Sequence, residues 1–308
     1  MKEECIGLIT VDPDRCVICG SCLDECAFRL LEMKTEDSLP TPREIEVRSA
    51  QERCINCGHC VAVCPVDALT LHPTPHTYRG FPPPVSMPQR QSPEGLQPIR
   101  SDLKVGKEQM AQLLMARRTH RAFKDKPVPR ETLEEIIRVA RYAPSGHNNQ
   151  LANWLVISDK SEIRRLGQAV IDFMKANTEV NPDFPFRWDH YRTDSDIIVD
   201  LWEKGEDSVF RGAPHLVILT GPRGMGKHYV GRETYTIRMA YFELAAIPYD
   251  LATVWAGFFL AAVQLWPPTR EAIGLAKGEE AMDAMCIGYP KNQYHRIPLR
   301  NEPAITWK

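Results

Sequence analysis

The 308-residue sequence has no surplus of charge: 38 lysines and arginines stand against 40 aspartates and glutamates, a formal net charge of −2. Such a balance offers no broad cationic face to a polyanion, so nucleic acid is excluded as a general partner. Behind Met1-Lys2-Glu3-Glu4-Cys5 there is neither an apolar run nor a small-residue cleavage site. No signal peptide is read there, and residence in the cytoplasm is expected. Long hydrophobic runs are missing as well. The longest uncharged stretch, 251–269, contains Thr253, Gln264 and a Pro267-Pro268 stop. It falls short of the ~20 apolar residues of a membrane span and is expected to be a buried core helix, with no membrane as partner. A dinucleotide fingerprint is also absent. Gly221-Pro222-Arg223-Gly224-Met225-Gly226-Lys227 fits G-x4-G-K, but His228 stands where a phosphate loop needs Ser or Thr, and Pro222 lies inside. A surface turn is the expectation.

What the chain has in excess is clustered cysteine. Eight of its ten cysteines fall between residues 16 and 64, in two runs that superimpose as an internal repeat. Cys16, Cys19, Cys22 and Cys26 fall on Cys54, Cys57, Cys60 and Cys64, Gly20 on Gly58, and Leu31 on Leu69. Clustering of this kind argues for metal ligation rather than disulfides. Soft thiolates suit iron bridged by sulfide, and successive gaps of two let three sulfurs of one loop reach three corners of one cube. Zinc sites are the weighed alternative, but zinc ribbons pair two C-x2-C knuckles across a longer span. Short alternating apolar stretches at 6–9 and 45–47 suit small strands flanking the runs. Cys5 and Cys286, outside the runs, are expected to be small apolar fillers.

From Pro73 to Pro98 there are eight prolines in 26 residues, the composition of an extended, semi-rigid linker. Beyond it, helical periodicity at 105–115 and 131–142 alternates with strand-like runs at 154–157, 216–219 and 285–287. A small domain at 1–75, a linker at 76–105 and a mixed α and β domain at 106–308 are expected. Between 171 and 210 the chain carries Phe173, Phe184, Phe186, Trp188, Tyr191, Trp202 and Phe210 among many charges. Aromatics at that density are expected to form local core, with a lid over an apolar substrate pocket as the sharper alternative.

The cysteine runs resemble those of bacterial-type ferredoxins. In two-cluster ferredoxins the fourth cysteine of each run ligates the other cluster. The resemblance therefore implies two [4Fe-4S] clusters, one on Cys16, Cys19, Cys22 and Cys64, the other on Cys54, Cys57, Cys60 and Cys26. Two departures leave the ligands intact: Ala27 rather than proline follows Cys26, and the segment between the halves is long.

Arg117-Arg118-Thr119-His120-Arg121-Ala122-Phe123, alone, reads as a solvated basic helix end. With Ala143-Pro144-Ser145-Gly146-His147-Asn148-Asn149-Gln150 and Trp154 it resembles the nitroreductase family's "RRSxRxF" and "APSGxNxQPW" segments. The likeness continues through Ala213-Pro214, Ala252-Thr253-Val254-Trp255-Ala256-Gly257, Ile287-Gly288-Tyr289-Pro290 and Arg296-Ile297-Pro298. It implies an α+β FMN domain following the ferredoxin-like domain. On the family's pattern, Arg117, Thr119 and Arg121 hold the phosphate and ring polar atoms, Arg118 stands adjacent, and Arg296 closes on the phosphate. Pro144, Ser145, Asn148 and Gln150 match positions near the ribityl and ring, and Val254, Trp255, Ala256 and Gly257 match the stretch packed against the isoalloxazine. A homodimer with FMN at its interface is implied as well.

The expected function is an oxidoreductase passing electrons from its clusters, or from NAD(P)H, through FMN to an organic acceptor such as a nitroaromatic, quinone or activated alkene, with reduced ferredoxin as the other possible donor. Reductive dehalogenation, flavin modification, and a non-enzymatic electron-transfer or redox-sensing role stay open. No side chain is assigned as proton donor.

Overall fold

The computed structural model describes residues 9–43, 54–72, 95, 97–180, 189–225 and 229–308. The expected strand at 45–47, the first part of that at 6–9, Cys5, most of the proline-rich stretch, the end of the G-x4-G-K turn, Phe184, Phe186, Trp188 and the side chain of Tyr191 lie outside them. By its internal contacts the chain divides into two compact units, Met1–Ile99 with Ser145–Gln150, and Arg100–Pro144 with Leu151–Lys308.

In the first unit the repeat written in the cysteines is also written in the backbone. Ile18 and Asn56 take φ 53° and 51°, Gly20 and Gly58 take 73° and 74°, and Arg29 and Asp67 take 51° and 53°. Each left-handed glycine turns the chain into a single helical turn, α1 (Ser21–Asp24) and α2 (His59–Ala62). Strand β1 (Ile9–Val11) pairs antiparallel with β4 (Leu69–Leu71), and β2 (Leu31–Glu32) with β3 (Thr41–Pro42). Between these elements lies a small core of Cys22, Leu31, Val61, Ala68 and Leu69.

The second unit is built on a four-stranded antiparallel sheet of β5 (Asn153–Ile157), β6 (His215–Pro222), β7 (Ala252–Trp255) and β8 (Glu279–Gly288), in the order β5-β6-β8-β7. All eight positions of β6 are buried, so both sheet faces are covered, which is why its sequence reads as a continuous apolar run rather than an alternation. A register shift between Leu219 and Thr220 bulges the β6–β8 ladder.

Helix α3 (Lys107–Ala116) buries none of its residues. Helix α4 (Arg130–Ala140) is amphipathic, with Leu133, Ile136 and Ala140 inward and Pro144 shortly beyond its end. Helices α5 (Lys160–Val180) and α6 (Asp189–Glu203) pack so closely that a Cβ on Gly167 would lie 2.6 Å from the Trp202 ring, which only glycine permits. Phe173, Trp202 and Phe210 are buried in the core, as expected of local core aromatics. Helix α7 (Tyr229–Ala246) follows β6.

The stretch 251–269 corrects its expectation. Instead of one core helix it forms β7, then α8 (Gly257–Leu265), then α9 (Pro267–Ala272). The β-branched and aromatic residues Thr253, Val254 and Trp255 pair with β8, and the chain becomes helical only at Gly257. Among the described residues no helix is long and apolar enough to cross a membrane. Cys286, on β8, is fully buried among apolar neighbours, in keeping with the filler role.

Candidate functional site

In the first unit Cys64 lies near enough to act on Cys22 alongside Cys16 and Cys19, and Cys26 near enough to act on Cys60 alongside Cys54 and Cys57. Burial pushes the Cys22 thiol up; its own backbone amide opposes this, and the neighbouring charges of Cys19, Cys16 and Cys64 add to it. Burial likewise raises Cys60, to about 11, with further contributions from Cys57, Cys54 and Cys26. Cys54 is raised by burial and by Cys57 and Cys26, while the Asn56 N–H pulls the other way. Exposed Cys19 is lowered, chiefly by its bond to the Ser21 hydroxyl.

The thiols raised by burial stay protonated near neutral pH, and a bound positive centre would favour their thiolates. Among the described residues no three His, Cys, Asp or Glu side chains are arranged to hold a single metal ion. A cube is wider than an ion, so thiols that serve its corners stand farther apart than those around zinc. Backbone donors complete each set: Leu30 N–H points to Cys26 Sγ at 3.3 Å and, 38 positions on, Ala68 N–H to Cys64 Sγ at 3.2 Å. Donors on ligand sulfurs are what a cluster needs, since they stabilise its negative charge.

In the second unit the segment from Arg117 to Lys124 is laid along the ends of the sheet. His120 N–H donates to the Thr253 carbonyl at 3.0 Å and Thr119 bridges Thr253 in parallel, so the segment runs beside β7. Farther on, Lys124 N–H reaches the Tyr289 carbonyl at 2.9 Å, and Lys291 N–H the Ala122 carbonyl at 3.0 Å. Thr119 and Arg121 thereby come beside Val254 and Trp255, both half-buried, with Ala256 buried and Gly257 exposed. A Cβ at Gly257 would meet nothing within 4 Å, leaving its backbone open to close approach. Two residues before exposed Arg296, Tyr294 donates to the Thr119 carbonyl at 3.4 Å and meets His120 edge-on at 4.9 Å, tying the segment that carries Arg296 to the same place. Burial holds His120 below the usual imidazole range.

A cavity of about 460 Å³ opens beside this segment, lined among others by Leu113, Arg117, Arg118, His120, Glu243 and Thr253. The cations here are only partly satisfied. Arg117 pairs with Glu243 at 3.1 Å. Arg118 donates to the carbonyls of Arg117 and Met115, while its buried Nε has no partner. Half-buried Arg211 is held below the usual guanidinium range by burial and then by the like charge of Arg121, against the pull of Asp207. Half-buried Arg211 and exposed Arg121, like charges that act on one another, suit an anionic guest.

Of the residues expected to hold flavin, Arg117, Arg118, Thr119, Arg121, Val254, Trp255, Ala256 and Arg296 thus gather in the second unit with Gly257, and Pro144 is exposed there. Ser145, Asn148 and Gln150 group with the first unit. Sequence reasoning missed Glu243, buried on α7, which accepts from both Arg117 and the Thr253 hydroxyl at 3.0 Å. An isolated carboxylate on an otherwise apolar helical turn was its only signal. It also missed Arg211, whose φ of 62° follows the turn that Asp207 builds by accepting from the Val209, Phe210 and Gly212 amides.

A model of the nitroreductase family matches residues 114–289, and a model of a 4Fe-4S dicluster domain matches residues 10–68. A chloronitrobenzene nitroreductase of Comamonas testosteroni is 34% identical over 74 residues, 24% of this chain and 33% of that protein. The match thus spans about a third of that relative's length. Nitroreductase NfnB of Mycolicibacterium smegmatis is 26% identical over 171 residues, covering 47% of this chain and 71% of that protein. Among solved structures, a nitroreductase with bound FMN from Bacteroides fragilis superimposes with a TM-score of 0.50 at 17% identity, covering 64% of this chain and 98% of that one, a likeness of fold.

Proposed function

Because this chain belongs to the nitroreductase family and carries a 4Fe-4S dicluster domain ahead of it, we propose that it is an iron–sulfur flavoprotein oxidoreductase that moves electrons between two [4Fe-4S] clusters and FMN and delivers them to a small organic acceptor. What supports this reading is the coexistence, in one chain matched by both family models, of two cysteine runs whose fourth sulfurs each receive a backbone N–H and an arginine-rich segment laid beside β7. Cys16, Cys19, Cys22 and Cys64 hold one cluster, and Cys54, Cys57, Cys60 and Cys26 the other. Arg121, Arg118 and Arg296 receive the phosphate, with Thr119 and Arg117 at the polar edge of the ring and the open backbone of Gly257 beneath it. Glu243 fixes the direction of Arg117 rather than touching the ligand.

Bound FMN supplies conversion between one-electron and two-electron chemistry. The residues of the chain bind it, orient it and exclude water, with the half-buried Val254 and Trp255 as the apolar wall. The acceptor is a nitroaromatic, a quinone or an activated alkene, and the donor is reduced ferredoxin or NAD(P)H. The reading includes a homodimer, for which the exposed Leu103, Val105, Met110, Leu114, Met115 and Trp307 offer apolar surface. A reducing cytoplasm suits the nine free cysteines among the described residues.

The test is anaerobic purification of the full chain, with iron, sulfide and acid-released flavin measured on one sample, followed by turnover of a nitroaromatic with reduced ferredoxin and with NADPH. About eight irons, eight sulfides and one FMN per chain are expected, with turnover from at least one donor. Stoichiometric zinc, FAD in place of FMN, or no turnover from either donor would sink the corresponding part.

A further inference from the structure

Asn148 donates through Nδ2 to the carbonyl oxygens of Ile55, at 3.2 Å, and Asn56, at 3.0 Å, inside the loop between Cys54 and Cys57. Its own Oδ1 accepts from Gln150 Nε2 at 3.1 Å, and the Gln150 N–H bonds the Ser145 hydroxyl at 3.2 Å. The Ile55 carbonyl and the Asn56 N–H belong to one peptide group, and that N–H points to Cys54 Sγ at 3.4 Å. A chain of polar bonds therefore runs from the Asn148 amide, through one peptide, to a cluster sulfur, and each bond polarises the next.

The repeat supplies an internal control. Ile18 occupies the position equivalent to Asn56 with nearly the same left-handed φ, 53° against 51°. Both halves have the N–H bond to their fourth cysteine, but among the described residues no bond joins Ile18 N–H to Cys16 Sγ. The backbone bond to the first cysteine of a run thus occurs, among the described residues, in the half whose carbonyls Asn148 holds, while the other half has a side-chain bond instead, Cys19 Sγ to the Ser21 hydroxyl at 3.4 Å. A second contact falls on the same cluster set, since His147 stacks on Phe28, two residues after Cys26, with ring centroids 6.2 Å apart.

We infer that Asn148 is a positioning residue for the cluster held by Cys54, Cys57, Cys60 and Cys26, raising that cluster's reduction potential through the Ile55–Asn56 peptide. Reduction adds one negative charge to a cluster, and hydrogen bonds to its sulfurs stabilise that charge. By polarising the Ile55–Asn56 peptide, Asn148 strengthens one such bond and biases the added electron toward this cluster. The inference rests on the cluster assignment proposed above.

The experiment is a redox titration of the anaerobic holoprotein followed by electron paramagnetic resonance, comparing wild type with Asn148→Ala and the isosteric Asn148→Asp, with iron and FMN content measured throughout. Asn148→Ala is expected to lower the potential of one cluster and leave the other unchanged. The partition of an electron between the two should shift by about tenfold, equal to about 59 mV for a one-electron couple. Asn148→Asp should shift it further in the same direction, and FMN content should hold. If Asn148→Ala sheds iron, Asn148→Asp is read by the same criteria. Unchanged cluster potentials would overturn the inference, as would equal shifts in both clusters, or altered FMN affinity with unaltered clusters. A wild type without about eight irons would instead defeat the cluster assignment itself.

Discussion

The two units of this chain are stabilised in different ways. Among the described residues the core of the first is Cys22, Leu31, Val61, Ala68 and Leu69, one of them a candidate ligand, around strands of two or three residues. The second buries Leu216, Ile218, Phe210, Phe242, Phe259 and many others across a sheet covered on both faces. A unit with so little apolar burial does not offset the entropy of ordering its loops, and metal binding then becomes folding energy. A unit with a continuous core needs no such help. The first is a fold held by what it binds, and the second is a fold that holds a place for what it binds.

The largest effect that would break this contrast comes from removing iron. Anaerobic chelation is expected to abolish hydrogen-exchange protection at β1 and β4 while β6 and β8 stay protected; comparable protection in both units after iron loss would end it. Next is a cavity in the larger core. Phe259, fully buried with its ring 5.6 Å from that of Phe210, should cost ~3–5 kcal/mol when replaced by alanine. The loss should appear in the denaturation of the second unit and leave cluster absorbance unchanged before that transition.

A smaller effect is pH-dependent. Asp283 is nearly buried on β8, bonded to Thr236 and to the Ala284 N–H, and burial raises its carboxyl to about 6. A folded-state value above the unfolded one means that its contribution is complete below about 4 and lost as pH rises through about 6. Asp283→Asn should therefore stabilise the second unit at pH 8 by on the order of 2–3 kcal/mol and bring no gain at pH 4; equal gains at both would show that the carboxylate is not strained. The smallest expected effect is at exposed Arg296, where replacement by alanine should weaken FMN retention by about 1.5 kcal/mol, read by equilibrium dialysis, without lowering the melting temperature of the flavin-free protein.

Much of the first unit was legible in the sequence because metal ligation writes itself locally. Cys16, Cys19 and Cys22 lie within one loop, and Gly20 is needed where the chain turns left-handed. The bulk of the sheet was legible too, since β6 is a continuous apolar run. The stretch 251–269 was misread because its periodicity cannot separate a short buried strand from a buried helix, and pairing with β8 decided it. Helix α3 was visible in periodicity, but that none of its residues is fully buried was not.

The functional segments divide in the same way. Local chemistry determined which residues can ligate and which can meet an anion, because thiol spacing and cation type act over a few positions of chain. Tertiary structure alone decided what those residues face. Glu243 meets Arg117 across 126 positions, and Asn148 meets Ile55 across 93. An Asn in a loop that resembles a flavin-binding segment has the same two-donor amide wherever it points. Only the folded chain, by bringing the Ile55 carbonyl within hydrogen-bonding distance, assigns that amide to the cysteine loop, because a hydrogen bond depends on distance in space and carries no trace in sequence separation.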